Sequence, residues 1–376
     1  MTRGHGLVID VSSVPPKPAG AGRYAIELVS NLGQSAFRFD LVAKVRDVRF
    51  WEELSSEKVL LAAPDLRPAR ILWEQVMLAR KLNLLDAGIY HGIHYTIPRD
   101  YKGPRISTIH DMTMIEHPEW HERVKVKYFS NAIRYAVDNA DAIIVPSNFT
   151  KDRLEAYFGR LDKVHVIYHG VDHQRFRPIG DMAEDKWVGE SSESIKVVLH
   201  IGTIEPRKNL ENLVKAFEIV AENYPEIRLW LVGQEGWKSE SVFKSIVSSK
   251  YSERIRLVGY LPEPELLNLL SHAACVAYPS LAEGFGFPVL EAMASGVPIV
   301  TSSGSVMEEV TNGSAWLCDP LDPHSISEKI VKAISGSEDS KSKVAKGIAR
   351  SEKFNWAEST RRHLEIYSAF GFGLES

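Results

Sequence analysis

Cysteine is scarce: Cys275 and Cys318 are the only two in 376 residues, and both lie in or beside apolar segments with no second Cys or His at ligand spacing. That excludes a disulfide framework and a thiolate metal site, and buried thiols of this kind point to a reducing compartment, the cytoplasm. Long apolar runs are missing too. Nowhere do about 18 uncharged apolar residues follow one another, and the apolar run in the opening MTRGHGLVIDVSS is too short for a secretory core, so neither a membrane span nor export is expected. Net charge is small, −4, but unevenly divided. Residues 1 to 178 hold 25 Lys and Arg against 21 Asp and Glu, the remainder 20 against 28, and nine of the 13 histidines fall in the front part. A basic half can meet an anionic partner, although scattered solvated charge gives the same count.

What is present is ordinary globular composition, 44% hydrophobic and 25% charged, in a chain longer than one core usually supports. Short β-branched runs alternate with helical patterns. GLVIDV, GRYAIELVSNL, FDLVAKV, DAGIYHG, PRISTIHD and ADAIIVPS come first; KVVLHIG, NLENLVKAFEIVAEN, IRLWLVG, RIRLVGYL, PELLNLLSHA, CVAYPS and VPIVTS follow. This rhythm is that of parallel sheets with crossover helices. Between the halves, IGDMAEDKWVGESSES is charged, rich in Gly and Ser and aperiodic, which places a boundary within 178 to 195. The resulting division is 1–180, 181–354 and a closing helix from 355 to 376. GSEDSKSK reads as a solvated loop, and two doubly wound domains facing each other would collect the carboxyl ends of both sheets around one cleft.

Two stretches carry the chemistry. In LAEGFGFPVLEAMASGVPIV, residues 281 to 300, Pro288 suits a first helical turn and Gly296 before Pro298 a stop, which predicts a helix over 288 to 295 after the Gly284, Phe285, Gly286 turn. Glycines admit a ligand close to the backbone, and a helix N-terminus favours an anion such as phosphate. Glu283 and Glu291 could then accept hydroxyls of sugars on either side of the phosphates. The plainer alternative makes Glu283 a helix-end charge and Glu291 a surface residue, yet Glu291 lies between Leu290 and Ala292 in a helix flanked by apolar strands, where an unpaired charge is costly. In HIGTIEPRKNLENLVKAF, residues 200 to 217, a strand ends at Gly202, Arg207 and Lys208 follow in a loop, and Asn209 is placed to cap the next helix. Adjacent cations at a strand end could hold a diphosphate and neutralise it as it leaves.

At these two stretches the sequence resembles the retaining nucleotide-sugar glycosyltransferases of family four, bacterial mannosyl- and rhamnosyltransferase-like and of the group 1 type. EGFGFPVLEAMASGVPIV is similar to that family's signature, with glutamates at its first and ninth positions. The resemblance implies an α/β GT-B fold, two Rossmann-like domains facing a central cleft, with the closing helix crossing back to the first. It implies that Lys208 binds the donor diphosphate, Glu283 the donor hexose and Glu291 the ribose, and that Phe285, Gly286 and Phe287 surround the phosphates and hexose. Gly202 belongs to the same donor site, and the base would lie near Val258, Tyr260, Leu261 and Gly233. Many members carry an arginine after the glycine that matches Gly202; here that residue is Thr203, so Arg207 is the candidate substitute. In KPAGAGRYAIELV, Gly20 and Gly22 match the loop bordering the donor phosphates, and in STIHDMTMIEHPEW, His110 beside Asp111 matches the family's cleft histidine.

The expected reaction is therefore transfer of a hexose, with mannose from GDP-mannose the preferred donor, to a hydroxyl of a saccharide or lipid-linked acceptor in surface polysaccharide synthesis. Lys208, Arg207 and the helix N-terminus would stabilise the departing diphosphate while Glu283 and His110 orient the sugar. No cofactor and no metal are expected, and no D-x-D pair of the metal-dependent GT-A enzymes occurs. Partners would be a nucleotide sugar and the acceptor, not nucleic acid. The helical segment with Arg123, Lys125, Lys127 and Arg134 could touch the inner membrane face peripherally, against the alternative of a solvated face. Rival readings are a GT-B nucleotide-sugar epimerase and a noncatalytic sugar-nucleotide binding protein. A nicotinamide dehydrogenase would need G-x-G-x-x-G, and AGAGRYA lacks the third glycine.

Overall fold

The computed structural model describes residues 6–18, 20–178 and 195–371; the expected boundary segment lies almost wholly outside them. The described chain forms two compact units. The first comprises Met1–Glu116, Arg123–Gly170 and Trp356–Ser376, the second His117–Glu122 and Val171–Asn355. The last helix, Trp356–Ala369, thus belongs with the first unit although it follows the second in sequence.

The first unit is built on seven parallel strands: β1 (Leu7–Asp10), β2 (Phe39–Lys44), β3 (Val59–Ala63), β4 (Ile89–Gly92), β5 (Arg105–Thr108), β6 (Ala142–Val145) and β7 (Val164–Val166). Their order is β3-β2-β1-β4-β5-β6-β7. The second unit has six, also parallel: β8 (Lys196–Ile201), β9 (Ile227–Val232), β10 (Ile255–Gly259), β11 (Cys275–Tyr278), β12 (Ile299–Ser302) and β13 (Trp316–Cys318), ordered β10-β9-β8-β11-β12-β13. Both units are thus α/β, and both share the doubly wound plan in which strand order reverses beside the first strand, between β1 and β4 and between β8 and β11. In such sheets ligands bind outside the carboxyl ends of the strands at that reversal.

The physical reason for this class lies in the strands themselves. LVID, AIIV and CVAY are buried at every position, as parallel strands covered on both faces must be. Helices supply the covers. Leu210–Asn223 turns Leu213, Val214, Phe217 and Val220 onto the second sheet, in a core shared with Val198, Leu229, Leu231 and Ala277.

Two local expectations are corrected. GSEDSKSK is not a solvated loop throughout: most of it opens the helix Glu338–Ser351, which the Ser337 side chain caps by accepting from the Ser340 amide, with Glu338 and Asp339 in the first turn. Asn209 precedes the helix Leu210–Asn223 but does not cap it with its side chain. Its backbone is left-handed (φ 59°), and its amide donates instead to the carbonyls of Pro279 (3.0 Å) and Pro320 (2.6 Å), tying the loop after β8 to the loop after β11.

Candidate active site

The strongest concentration of charge in the second unit sits at the strand reversal. β8 runs into the loop Gly202–Asn209, and β11 into the loop Pro279–Gly286 that opens the helix Phe287–Ala294. A backbone bond from the Leu281 amide to the Arg207 carbonyl (2.8 Å) joins the two loops alongside the Asn209 bridge. Both loops are therefore fixed by main-chain geometry, and their side chains converge.

Glu283 is the centre of that convergence. Its Oε1 accepts from Lys208 Nζ (2.5 Å), the Tyr278 hydroxyl (2.9 Å) and the Ser280 hydroxyl (2.9 Å), while Oε2 accepts from Arg207 Nη1. The same Nη1 donates to the Ala282 carbonyl (3.2 Å). Arg207 Nε lies 2.5 Å from Oε1 of the buried Glu205, close enough for an ion pair though not aligned as a hydrogen bond. Lys208 also donates to the Tyr278 hydroxyl. The Lys208 and Glu283 side chains are 6% and 9% exposed, so this is a desolvated network of two cations and two carboxylates rather than a surface pair.

Burial alone would push the Glu283 carboxyl up, but Arg207 and Lys208 together outweigh it and hold the group at about 2, fully ionised. Lys208 is moved below the ordinary lysine value by burial first and by neighbouring Arg207 second, which the two carboxylates only partly offset. Burial, then the Glu283 charge, drives the Tyr278 phenol well above its usual value, so it stays a donor. Beneath them His200 stacks on Tyr278 (centroids 5.4 Å apart, planes within 10°) and gives its Nδ1 proton to the Ala277 carbonyl (3.0 Å). Burial lowers it to about 4, and it is neutral.

The glycines expected around this site are tightly placed. A Cβ on Gly233 would fall 2.0 Å from the Gly202 carbonyl oxygen, so these two strand ends meet backbone to backbone. The Gly233 amide also bonds the Gly259 carbonyl (2.9 Å), which brings Gly233 beside the Val258, Tyr260, Leu261 segment, where Tyr260 is half exposed. Thr203 follows Gly202 into the loop, partly exposed. Gly286 (φ 96°) precedes the helix Phe287–Ala294, and Phe285 packs edge-on against Phe287 (5.7 Å). Glu291 is buried within that helix, which excludes its reading as a surface residue.

The remaining candidates lie in the first unit. Gly20 (φ 44°) stands at the start of the helix Ala21–Gly33, and a Cβ on Gly22 would meet Pro18 at 2.9 Å. His110 follows β5. Its Nε2 donates to the Ile93 carbonyl (2.8 Å), which leaves Nδ1 as an acceptor, and burial lowers its pKa so that the ring is neutral. Asp111 turns away, accepting from the Thr113 amide and hydroxyl (3.0 and 2.8 Å) to start the helix Thr113–Glu116. Of the basic residues on the helix Arg123–Asn139, Arg134 is spent on the Tyr157 hydroxyl (2.6 Å), while Val124 is 81% exposed. Among the described residues no helix is long and apolar enough to cross a membrane.

Tyr278, Ser280, Glu205 and His200 belong to this network, and sequence reasoning assigned them no role. Tyr278 and His200 read as strand residues, and Glu205 was visible only as the first letter of EPRKN. The one available signal was polarity at the carboxyl end of otherwise apolar strands.

Comparison with known proteins agrees with this geometry. Residues 18–175 match the family model Glycosyltransferase Family 4, and residues 181–350 match Glycosyl transferases group 1, together most of the chain. The O-antigen chain mannosyltransferase B of Escherichia coli is 27% identical over 372 residues, covering 93% of this chain and 95% of its own. The O-antigen chain mannosyltransferase RfbU of Salmonella typhimurium is 26% identical over 332 residues, covering 85% and 88%. In structure, HepE of Anabaena, solved in complex with UDP-glucose, superposes with a TM-score of 0.77 at 18% identity, over 97% of this chain and 100% of that one. With both family models in register on its two units, the chain belongs to the family four, group 1 type glycosyltransferases of GT-B fold.

Proposed function

We propose that this glycosyltransferase moves a hexose from a nucleoside diphosphate sugar to a hydroxyl of a saccharide or lipid-linked acceptor with retention of anomeric configuration, and that the donor is GDP-mannose. The observation that carries the reading is the desolvated network of Arg207, Lys208 and Glu283 at the β8/β11 reversal. Support for mannose comes from the two O-antigen mannosyltransferase relatives. Support for a nucleotide sugar comes from the HepE complex.

In this mechanism the anomeric carbon to diphosphate bond breaks and the diphosphate leaves with the electron pair. Lys208 and the amides at the start of the helix Phe287–Ala294 stabilise it, Arg207 supplies further positive charge, and no metal is required. The acceptor oxygen bonds the same face of the anomeric carbon and passes its proton to the leaving diphosphate. Glu283 orients the hexose by accepting hydroxyls, and Glu291 does so for the ribose. A carboxylate held by two cations is a weak nucleophile and a good hydrogen-bond acceptor, which favours this role over covalent attack. A glycosyl ester on Glu283, caught by mass spectrometry, would overturn it. His110 Nδ1, fixed as an acceptor, takes a sugar hydroxyl. The front unit also contacts an anionic membrane face through the helix Arg123–Asn139, which co-sedimentation with phosphatidylglycerol vesicles would register.

The deciding test is a thermal-shift panel of GDP, UDP, ADP and dTDP sugars. A true donor at a hundred times its dissociation constant adds about 2.7 kcal/mol of stability. The largest shift is expected with GDP-mannose. A shift with UDP sugars alone would remove the mannose assignment, and no shift with any would remove the donor site.

A further inference from the structure

Glu205 is 2% exposed, deeper than any other charged side chain of the network described above. A buried carboxylate is costly unless its charge is met, and Arg207 Nε, 2.5 Å away, meets it. Arginine's guanidinium is a rigid planar fork, so an ion pair that draws its Nε edge toward Glu205 also biases where the Nη groups point. Here Nη1 points at Glu283 Oε2 and the Ala282 carbonyl. Lys208, a point charge on a flexible stem, takes the other oxygen, Oε1.

We infer that Glu205 is a positioning residue, which turns Arg207 toward Glu283 and so assigns the guanidinium to holding the hexose-gripping carboxylate, its charge reaching the diphosphate from a distance and not by direct contact. The inference rests on the donor site proposed above and refines it: Lys208 serves the phosphates, while Arg207 serves the sugar through Glu283. Without the Glu205 charge, Arg207 is released toward any diphosphate that arrives, and Glu283 loses the partner that fixes its second oxygen. Bare nucleoside diphosphate and sugar transfer should therefore respond in opposite directions.

The test measures binding of GDP and UDP by calorimetry, and transfer kinetics with the donor selected by the thermal-shift panel, in wild type, Glu205→Gln, Arg207→Ala and the double variant. For Glu205→Gln the expectation is kcat lower by about 10- to 100-fold with GDP bound equally or up to about tenfold more tightly. In the Arg207→Ala background the same substitution should change kcat less than about twofold, because the residue it acts through is already gone. Loss of GDP affinity in step with kcat, or additive losses in the double variant, would mean that Glu205 only supports the loop, and would overturn the inference. Should Glu205→Gln fail to fold, Glu205→Asp, which keeps the charge and shortens its reach, carries the same comparison, with a smaller kcat loss and unchanged GDP binding expected. Wild type that binds neither GDP nor UDP would overturn the donor site itself, an outcome distinguishable from a well-bound nucleotide with additive variants.

Discussion

The two units use one sheet plan and place opposite chemistry at its reversal. Beside β8 and β11 the second unit gathers ions: Glu205, Arg207, Lys208 and Glu283. Around β4 and β5 the first unit gathers neutral rings and hydroxyls, and the buried carboxylate at the end of β1, Asp10, accepts from the Tyr90 hydroxyl (2.7 Å). His91 bonds the hydroxyls of Tyr367 and Thr108 (2.8 Å each), and Tyr24 bonds Thr108 (3.1 Å) and His363 (2.8 Å). The same backbone frame thus supports a cluster of paired ions in one unit and a fully buried core of rings and hydroxyls in the other. Topology decides where a site lies, and the residues at the strand ends decide what it can do.

The largest expected effect would break this contrast if it failed. Lys208→Met should lower kcat by about 10³-fold, the scale of losing one preorganised charge donor, whereas His110→Asn should cost only about 10- to 100-fold. Equal losses in steady-state kinetics would mean that both units carry the charge chemistry. Next, Tyr278→Phe removes the hydroxyl shared by Lys208 and Glu283. Transfer should fall about tenfold and stability by about 1–2 kcal/mol in urea unfolding.

Acidification sharpens the comparison further. His91, His169 and His363 are buried in the first unit with their pKa values lowered by that burial, His363 to about 4. Below the ordinary histidine value of 6.5 the unfolded chain takes up protons that the folded unit refuses, so stability falls between pH 6.5 and 4. Glu283 has the same sign in a lower window: its contribution is present above the ordinary glutamate value of 4.5 and is lost only as pH falls toward about 2. Hydrogen exchange at pH 5 against pH 7 should show peptides of the first unit, with several such histidines, losing more protection than those around Glu283, where His200 carries the same acid sensitivity once. Uniform loss in both would refute that assignment.

The smallest effects concern scaffold alone. Ser147 and Ser337 each cap a helix, one per unit, by accepting from the amide three residues on. Ser147→Ala and Ser337→Ala should each cost about 1 kcal/mol in thermal unfolding and leave kcat within about twofold.

Much of this was readable from sequence where residues had no alternative environment. Ten of the strands follow from β-branched and apolar runs such as CVAYPS and VPIVTS, most plainly where both faces are covered, as in AIIV and CVAY, and less so at the exposed edge strand β10. β3, β7 and β13 were not read. VHV and WLC are three residues long, and VLLAA follows a helix without a turn signal, so nothing local separates these strands from loop. In the site, Lys208, Glu283 and Glu291 were legible through a motif with fixed spacing. The Arg207 bond to Glu283 was not, because it joins positions 76 apart through loop geometry that no local pattern encodes. Asn209 failed as a cap for the same reason, since its better partners, Pro279 and Pro320, come from distant loops.

The placement of the helix Trp356–Ala369 bears on how the molecule is made. Its buried His363 and Tyr367 complete a network whose other members, Tyr24, His91 and Thr108, leave the ribosome some 250 residues or more earlier. The unit synthesised first is therefore finished last, after the whole of the second has emerged, and during translation its half-built polar core depends on water or chaperones for the missing bonds.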